Sequence, residues 1–456
     1  MKVFKKKLET NPLRILDSKN NEDKEVIEES PKILNFLDDE SNFFFEVILK
    51  NLKELNIEFS VNPHLVRGLD YYNHTAFEFV TFEDKSQNAV LAGGRYDGLV
   101  SSLGGKNLSG VGWASGIERI ILNLKEKINN LSDLKKFREE IKTVERELTI
   151  VHAKAVNSMK KKINIDLIGF HGHTIYHNSK EKTSVQIGDP NLLSQLTKKS
   201  VVYNFRQNDL KNGGQGAPLT PIFHNLIANK YLKKELDKSY SVNIINIGGI
   251  SNITKTVKWD KIDKKKEFIK ACDIGPGNCL IDEWVQKNSK KRYDIDGTLA
   301  SIGNTDRLIL NQALENFNIG PPYTESLDVK DFDISFVKGL SLEDGISTLA
   351  DFTSLQISKA VNFFKDPTKN SIFLVCGGGR KNKYLMNSIL KSVNLIHDLN
   401  KTNFVPVEEY SLDGDFVESQ AFAYLAIRSI LSLPISFPDT TRCRESISGG
   451  VIIENF

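Results

Sequence analysis

Three glycine turns hold the residues whose types and spacing could do chemistry. The first is Asn246-Ile247-Gly248-Gly249-Ile250-Ser251-Asn252-Ile253-Thr254. It follows an apolar, β-branched run at 240–247 that reads as a buried strand, and its two glycines would let backbone N–H groups come close to a ligand phosphate. About twenty residues on, the run 265–273 delivers a lone carboxylate to the turn Asp273-Ile274-Gly275-Pro276-Gly277-Asn278. A third turn, Cys376-Gly377-Gly378-Gly379, ends a buried strand at 371–376 and opens a helix at Tyr384; a flat base could lie on such a backbone. Each turn taken singly is equally an ordinary tight turn. Together they suggest phosphate handling beside an acid or a base.

The elements around them follow from apolar spacing. A helix is expected at 346–364, and another at 421–433 with Glu418 at its start, where a carboxylate can serve the helix dipole. A short strand at 163–170 ends in His171-Gly172-His173-Thr174, whose hydroxyl and imidazoles could contact a sugar, although His171 could equally be a satisfied structural histidine. A second strand ends at Val185-Gln186-Ile187-Gly188-Asp189. The stretch 201–209 leads into Gly213-Gly214-Gln215-Gly216-Ala217-Pro218, too flexible for a strand interior and so a loop near a ligand or a tight packing point.

A chain of 456 residues has room for two or three domains, each with its own core. With 40% hydrophobic and 26% charged residues and a net charge of +3, neither a nucleic-acid partner nor a membrane is argued by composition. Four separated cysteines, Cys272, Cys279, Cys376 and Cys443, make a zinc site or disulfide framework a poor fit, and suit a reducing cytoplasm. No signal peptide and no membrane span is expected.

In the first 125 residues, Ser41 is expected to cap a helix and 75–80 to form a strand, with a turn at 92–99 and another helix opening over 112–119. Arg67 and Arg119 beside glycines could bind carboxylate or phosphate through the guanidinium fork, or make surface ion pairs; Tyr71 and Tyr72 could wall a ring-shaped substrate. Beyond a change of character at 123–131, Leu134 to Ala155 repeat at threes and fours, giving one long amphipathic helix with Ser132 as its cap. Its mixed charges at 135–147 read as a solvated face.

The segments Asn11-Pro12-Leu13-Arg14-Ile15-Leu16-Asp17, 65–78, 92–99 and 112–119, with Arg67-Gly68-Leu69-Asp70-Tyr71-Tyr72 at their centre, resemble histidyl-tRNA synthetase over about residues 8–124. The resemblance implies an α+β class II fragment with antiparallel strands. Arg67 would contact the activated carboxylate and α-phosphate, Tyr71 and Tyr72 would line a histidine pocket, and Arg119 would hold ATP phosphate. Nothing matches the family's dimer motif, its ATP-binding arginine motif or its anticodon domain, so aminoacylation is expected to fail and tRNA binding is not expected.

The segments 171–174, 186–189, 205–218, 246–254, 273–278, 377–382 and 418–424 resemble anhydro-N-acetylmuramic acid kinase over about residues 130–456. That likeness implies an α/β fold of the actin/hexokinase/Hsp70-like type in two lobes, with ATP phosphorylating O6 of the anhydro sugar while water opens the bridge at C1. Asp273 would be the general base. Thr174 and Glu418 would hold the sugar, Gly248 and Gly249 would approach the phosphates, and Gly377, Gly378 and Gly379 would border the adenosine. ATP and Mg2+ are the expected cofactors, with no protein metal ligands assigned.

Two departures from the family pattern stand out. His173 replaces a usual Gln, and the family's Gly-Thr-Ser-Leu-Asp-Gly phosphate loop has no counterpart, so the fold should lack its first hairpin, leave a sheet edge open and lose much of its rate. The expected organisation is a synthetase core piece at 1–125 and a kinase-like region at 126–456, cytoplasmic, acting in cell-wall recycling, with a homodimer left open. The rival functions are a histidine-activating, tRNA-ligase-like protein and an inactive fusion.

Overall fold

The structure, a computed structural model, describes residues 16, 27–66, 71–81, 89–263, 268–289, 291–317, 319–396 and 402–454. Two compact units divide the chain, at 1–120 and 121–456. The helices used below are numbered in chain order.

In the first unit, α1 (Asp39–Glu54) is capped by Asp38, whose Oδ1 accepts from Ser41 N at 2.8 Å. Ser41 is therefore a donor in the first turn, not the cap, because the carboxylate three residues earlier reaches its N–H first. Strands β1 (Ala76–Val80), β2 (Ala89–Arg95) and β3 (Val111–Ser115) form an antiparallel sheet in the order β1-β2-β3. The turn expected at 92–99 is in part the middle strand. Gly93 lies between Phe77 and Trp113, and a Cβ there would overlap Gly112 O, so glycine serves close strand packing rather than chain reversal. The helix expected from 112 starts later, as α2 (Ile117–Lys127), because 111–115 is committed to pairing with β2.

In the second unit the single long helix is two, α3 (Leu131–Lys136) and α4 (Arg138–Lys160). Asn130, not Ser132, is the cap: its side chain accepts from Ser132 N and Asp133 N, while Asp133 accepts from Asn130 N, and the chain leaves helical geometry at Phe137 (φ −98, ψ 19). Of the strand expected at 163–170 only β4 (Leu167–Gly169) pairs, and Ile163 is exposed. The hairpin β5 (His173–Asn178) and β6 (Thr183–Ile187) follows, then β7 (Ser200–Tyr203) and α5 (Pro221–Tyr231).

The larger sheet holds β8 (Ser241–Ile247), β9 (Ile250–Lys255), β10 (Lys270–Pro276), β11 (Ser371–Cys376) and β12 (Thr402–Pro406), with α6 (Cys279–Asn288), α7 (Leu342–Phe364) and α8 (Lys383–Ile396) between β10 and β12. Its order is β10-β9-β8-β11-β12; β9 runs against both neighbours, and β11 and β12 run parallel to β8. The middle strand is buried on both faces. Ile245 and Ile247 enter one core with α6, α7 and α8, while Val242 and Ile244 enter another with α5 and α9 (Val417–Ile430). The start of β10's expected run, at 265–267, lies outside the described residues.

The smaller sheet has the order β13-β7-β4, with β13 (Val451–Ile453) antiparallel and β4 parallel to β7, so β4 is an edge among the described residues. Helix α9 joins the two sheets. Its Ala421 packs toward β8 and β11, its Phe422 and Ala426 toward Val202 and Phe205, and a Cβ on Gly169 would press into Phe422 O. Among the described residues no helix is long and apolar enough to cross a membrane. The four cysteines are free.

Candidate active site

The three glycine turns meet at the ends of β8, β10 and β11. Parallel pairing sets Cys376 beside Asn246, so β8 and β11 release their chains side by side. The N–H of Gly277 donates to Gly249 O and that of Asn278 to Gly248 O, both at 2.8 Å, which locks the second turn onto the first. The glycines are not equivalent. Gly377 has φ +81 and a Cβ there would meet Ile247 O at 2.5 Å; a Cβ on Gly379 would overlap Ile247, and one on Gly277 would overlap Gly248 O. Around Gly248, Gly249 and Gly378 the nearest atoms stand at ordinary contact distances of 3.5, 3.8 and 3.6 Å. Packing demands the first group and leaves the second open for a ligand to approach.

The third turn is held from outside by Arg380, nearly buried. Its Nη1 donates to Gly377 O at 2.8 Å and to Asp415 Oδ1 at 2.9 Å, and its Nε to Glu408 Oε1 at 2.7 Å. Arg380→Ala is expected to cost about 1–2 kcal/mol in urea unfolding, since a carbonyl and two carboxylates lose a shared donor.

Asp273 lies on β10 where the register slips between Asp273 and Gly275 (φ +139), a bulge that re-aims the carboxylate. The side chain is buried, and Oδ2 accepts from Leu327 N at 2.9 Å and Ser326 Oγ at 3.2 Å, while Oδ1 accepts no hydrogen bond from the described residues. Burial pushes its pKa up to about 6, against the pull of Leu327 N–H, the Ser326 hydroxyl and the Arg206 guanidinium. It faces a small opening of about 10 Å³, lined also by Gln215, Tyr323, Glu325 and Arg442.

Arg206 is the residue that sequence reasoning left out of the site. Its Nε donates to His171 Nε2 at 3.0 Å and its Nη1 to Gly216 O at 2.7 Å, while the charges of Glu418, Asp273 and Asp209 act on it. Because Nε2 of His171 must accept, Nδ1 carries the proton and donates to Gly172 O at 2.9 Å. The ring is held neutral, its pKa pushed down to about 3 by burial and by Arg206. The glycine-rich loop is fixed by Asp209, which accepts from Gly216 N and Thr441 Oγ1, both at 2.6 Å.

Two family models match the chain: that of anhydro-N-acetylmuramic acid kinase at residues 113–455 and that of histidyl-tRNA synthetase at residues 6–120. The anhydro-N-acetylmuramic acid kinase of Pelagibacter ubique is 49% identical over 74% of this chain and 87% of its own length. That of Zymomonas mobilis is 38% identical over 69% of this chain and 81% of its own. The chain belongs to the anhydro-N-acetylmuramic acid kinase family. A ROK family glucokinase from Streptomyces griseus, solved with glucose and AMPPNP, overlaps 62% of this chain and 88% of its own at 13% identity and a TM-score of 0.31, too little to argue a shared fold.

Within the kinase-family region, Glu418 stands exposed in the first turn of α9 and acts on Arg206, which links it electrostatically to Asp273. Thr174 lies on β5, and its Oγ1 accepts from Gln186 Nε2 at 3.2 Å. Neither residue lines the opening at Asp273, and nor do the five glycines assigned to the nucleotide. The loop 323–331 spans the gap: its Leu327 is on Asp273, while Val329 Cγ2 is the nearest atom to where a Cβ on Gly249 would stand, at 3.8 Å.

In the region similar to histidyl-tRNA synthetase, Tyr71, Tyr72 and Tyr96 form one aromatic group with centroids 4.8 to 6.1 Å apart, and Arg119 Nη1 donates to Ala89 O at 2.7 Å. Arg67 lies outside the described residues.

Proposed function

We propose that this chain phosphorylates 1,6-anhydro-N-acetylmuramic acid with ATP and opens its anhydro bridge, giving N-acetylmuramic acid 6-phosphate and ADP. The observation that carries this is Asp273: a buried carboxylate whose pKa sits at about 6, with one oxygen held and the other open to take a proton. Water attacks C1 and passes its proton to Oδ1, the C1–O6 bond breaks, and O6 takes the γ-phosphoryl group. A base poised near neutrality suits that step.

The backbone at Gly248, Gly249 and Gly378, where packing leaves room, would receive the nucleotide, and Thr174 and Glu418 the sugar. The order of the larger sheet, with one reversed strand beside the central one, supports the actin/hexokinase/Hsp70-like fold for 126–456. The described residues contain no cluster of three acidic, His or Cys side chains fit to cage a metal, so Mg2+ would arrive on the triphosphate oxygens, where it neutralises charge on the transferred group. No step above depends on a protein-held metal. With no counterpart of the family's phosphate loop read in the sequence and β4 an edge among the described residues, the rate would lie well below that of a complete family member. The synthetase-like residues 1–125 would be a second, incomplete core fused ahead of it, in a cytoplasmic protein.

The test is sugar-dependent release of ADP, with the phosphorylated product identified by mass. No turnover at any sugar or ATP concentration removes the proposal. The tyrosine group favours a second reading, histidine activation, which requires histidine-dependent ATP–pyrophosphate exchange that disappears in Arg67→Ala.

A further inference from the structure

Loop 323–331 touches the base, a phosphate-side glycine and two distant parts of the second unit. Ser326 Oγ and Leu327 N both point at Asp273 Oδ2. Val329 Cγ2 stands 3.8 Å from where a Cβ on Gly249 would be. The loop is tied down at both ends. At the near end, Gln215 Nε2 donates to Thr324 O at 2.9 Å and Arg442 Nη2 to Tyr323 O at 3.1 Å. At the far end, Lys330 Nζ donates to Ile128 O at 3.0 Å and Asn129 Oδ1 at 3.2 Å, while Asp328 acts on His177 of β5. Tyr323 is held at φ +52, a conformation a bulky side chain adopts only where its surroundings enforce it.

We infer that this loop is the positioning element of the base: Ser326 and the Leu327 N–H fix Asp273 by Oδ2, turn Oδ1 toward the reacting water and hold the carboxylate ionised, and the Lys330 anchor to 128–129 keeps them there. The inference rests on Asp273 being the base of the proposed reaction. Two donors on one oxygen favour the charged form and leave the other oxygen as the proton acceptor. The remaining ionisable groups facing Asp273 are Arg206, Cys272 on its own strand, Tyr323 and Glu325 of the loop, and Arg442 across the opening. Burial keeps the Cys272 thiol protonated, at about 12.

Ser326→Ala should move the acid limb of kcat/KM up by about half to one pH unit, a loss of roughly two- to fivefold at pH 6 that largely recovers at pH 8. Ser326→Thr should keep the wild-type profile. Lys330→Met, which leaves Ser326 in place, should move the limb the same way. An unmoved limb in Ser326→Ala overturns the positioning role, and an unmoved limb in Lys330→Met overturns the anchor. If the chain turns over no sugar, the reaction is refuted and the positioning is read without activity. Thermal melts of each background with and without Asp273→Asn, from pH 4 to 8, separate from near pH 4, where the unfolded chain ionises, and stop separating where the folded Asp273 does. That upper end should sit at higher pH with Ser326→Ala, and an upper end at the same pH would refute the loop's role. Loss of folding in Ser326→Ala leaves Lys330→Met to decide.

Discussion

Asp273→Asn is expected to cut sugar-dependent ATP turnover by roughly 10²- to 10⁴-fold, the usual contribution of a general base, and at the same time to make the protein more stable at pH 8. The two effects have one cause. The folded-state pKa of about 6 lies above the ordinary value of 3.8, so the fold binds this proton more tightly than the unfolded chain does. Stability is then lost as pH rises from near 4 through 6, and the full cost of an ionised, buried carboxylate is carried above 6. Two pH units correspond to about 3 kcal/mol at most. Arg206 loses one of its three negative neighbours in the variant, which offsets part of the gain, so about 1–2 kcal/mol is expected at pH 8 and none at pH 4. Unfolding in urea at both pH values checks it. A variant less stable than wild type at pH 8, or one as active, contradicts the assignment. The same pKa places the acid limb of the wild-type activity near pH 6, with the rate rising as Asp273 gives up its proton.

How much of this site could be read from the chain depends on whether each feature is local. The strand at 240–247 and the glycine turn after it announce themselves by β-branching and composition, and the structure places β8 within a residue of that run. The strand at 371–376 behaves the same way. What failed were boundaries decided by a partner. Gly93 reads as a turn until Phe77 and Trp113 are placed on either side of it, and Ser132 reads as a cap until Asn130 and Asp133 exchange hydrogen bonds. Arg206 was passed over for a different reason. In sequence it is one arginine before a flexible loop; its meaning comes from His171, thirty-five residues earlier, and from carboxylates at 273 and 418. An arginine directly after a buried strand and Phe205, ahead of a run of glycines, was the available signal. The loop 323–331 gave no signal of its own, because its contribution to Asp273 is largely a backbone N–H, which any residue type supplies.

The five glycines assigned to the nucleotide should separate into two classes on substitution, and that separation is the sharpest test of where ATP lies. Gly377→Ala forces a side chain into a left-handed backbone conformation and presses its Cβ against the carbonyl of Ile247, in the middle strand of the larger sheet. The amide oxygen of Asn246 also stands in the way and can swing aside, but the backbone carbonyl of Ile247 cannot, so the strand end has to move, and a loss of about 3 kcal/mol or more is expected whether or not nucleotide is present. Gly248→Ala meets nothing closer than Ile250 O at 3.5 Å and keeps an ordinary φ, so the fold should hold within about 0.5 kcal/mol of wild type or gain slightly. Its added methyl group sits instead where the backbone is bare, and the KM for ATP should rise tenfold or more. Gly378→Ala belongs with Gly248, the nearest atom being Asn278 Nδ2 at 3.6 Å. Melting temperatures and ATP saturation curves for the three variants decide it. Unchanged ATP affinity in both Gly248→Ala and Gly378→Ala would move the nucleotide away from this corner, because packing gives those two positions no other reason to be glycine.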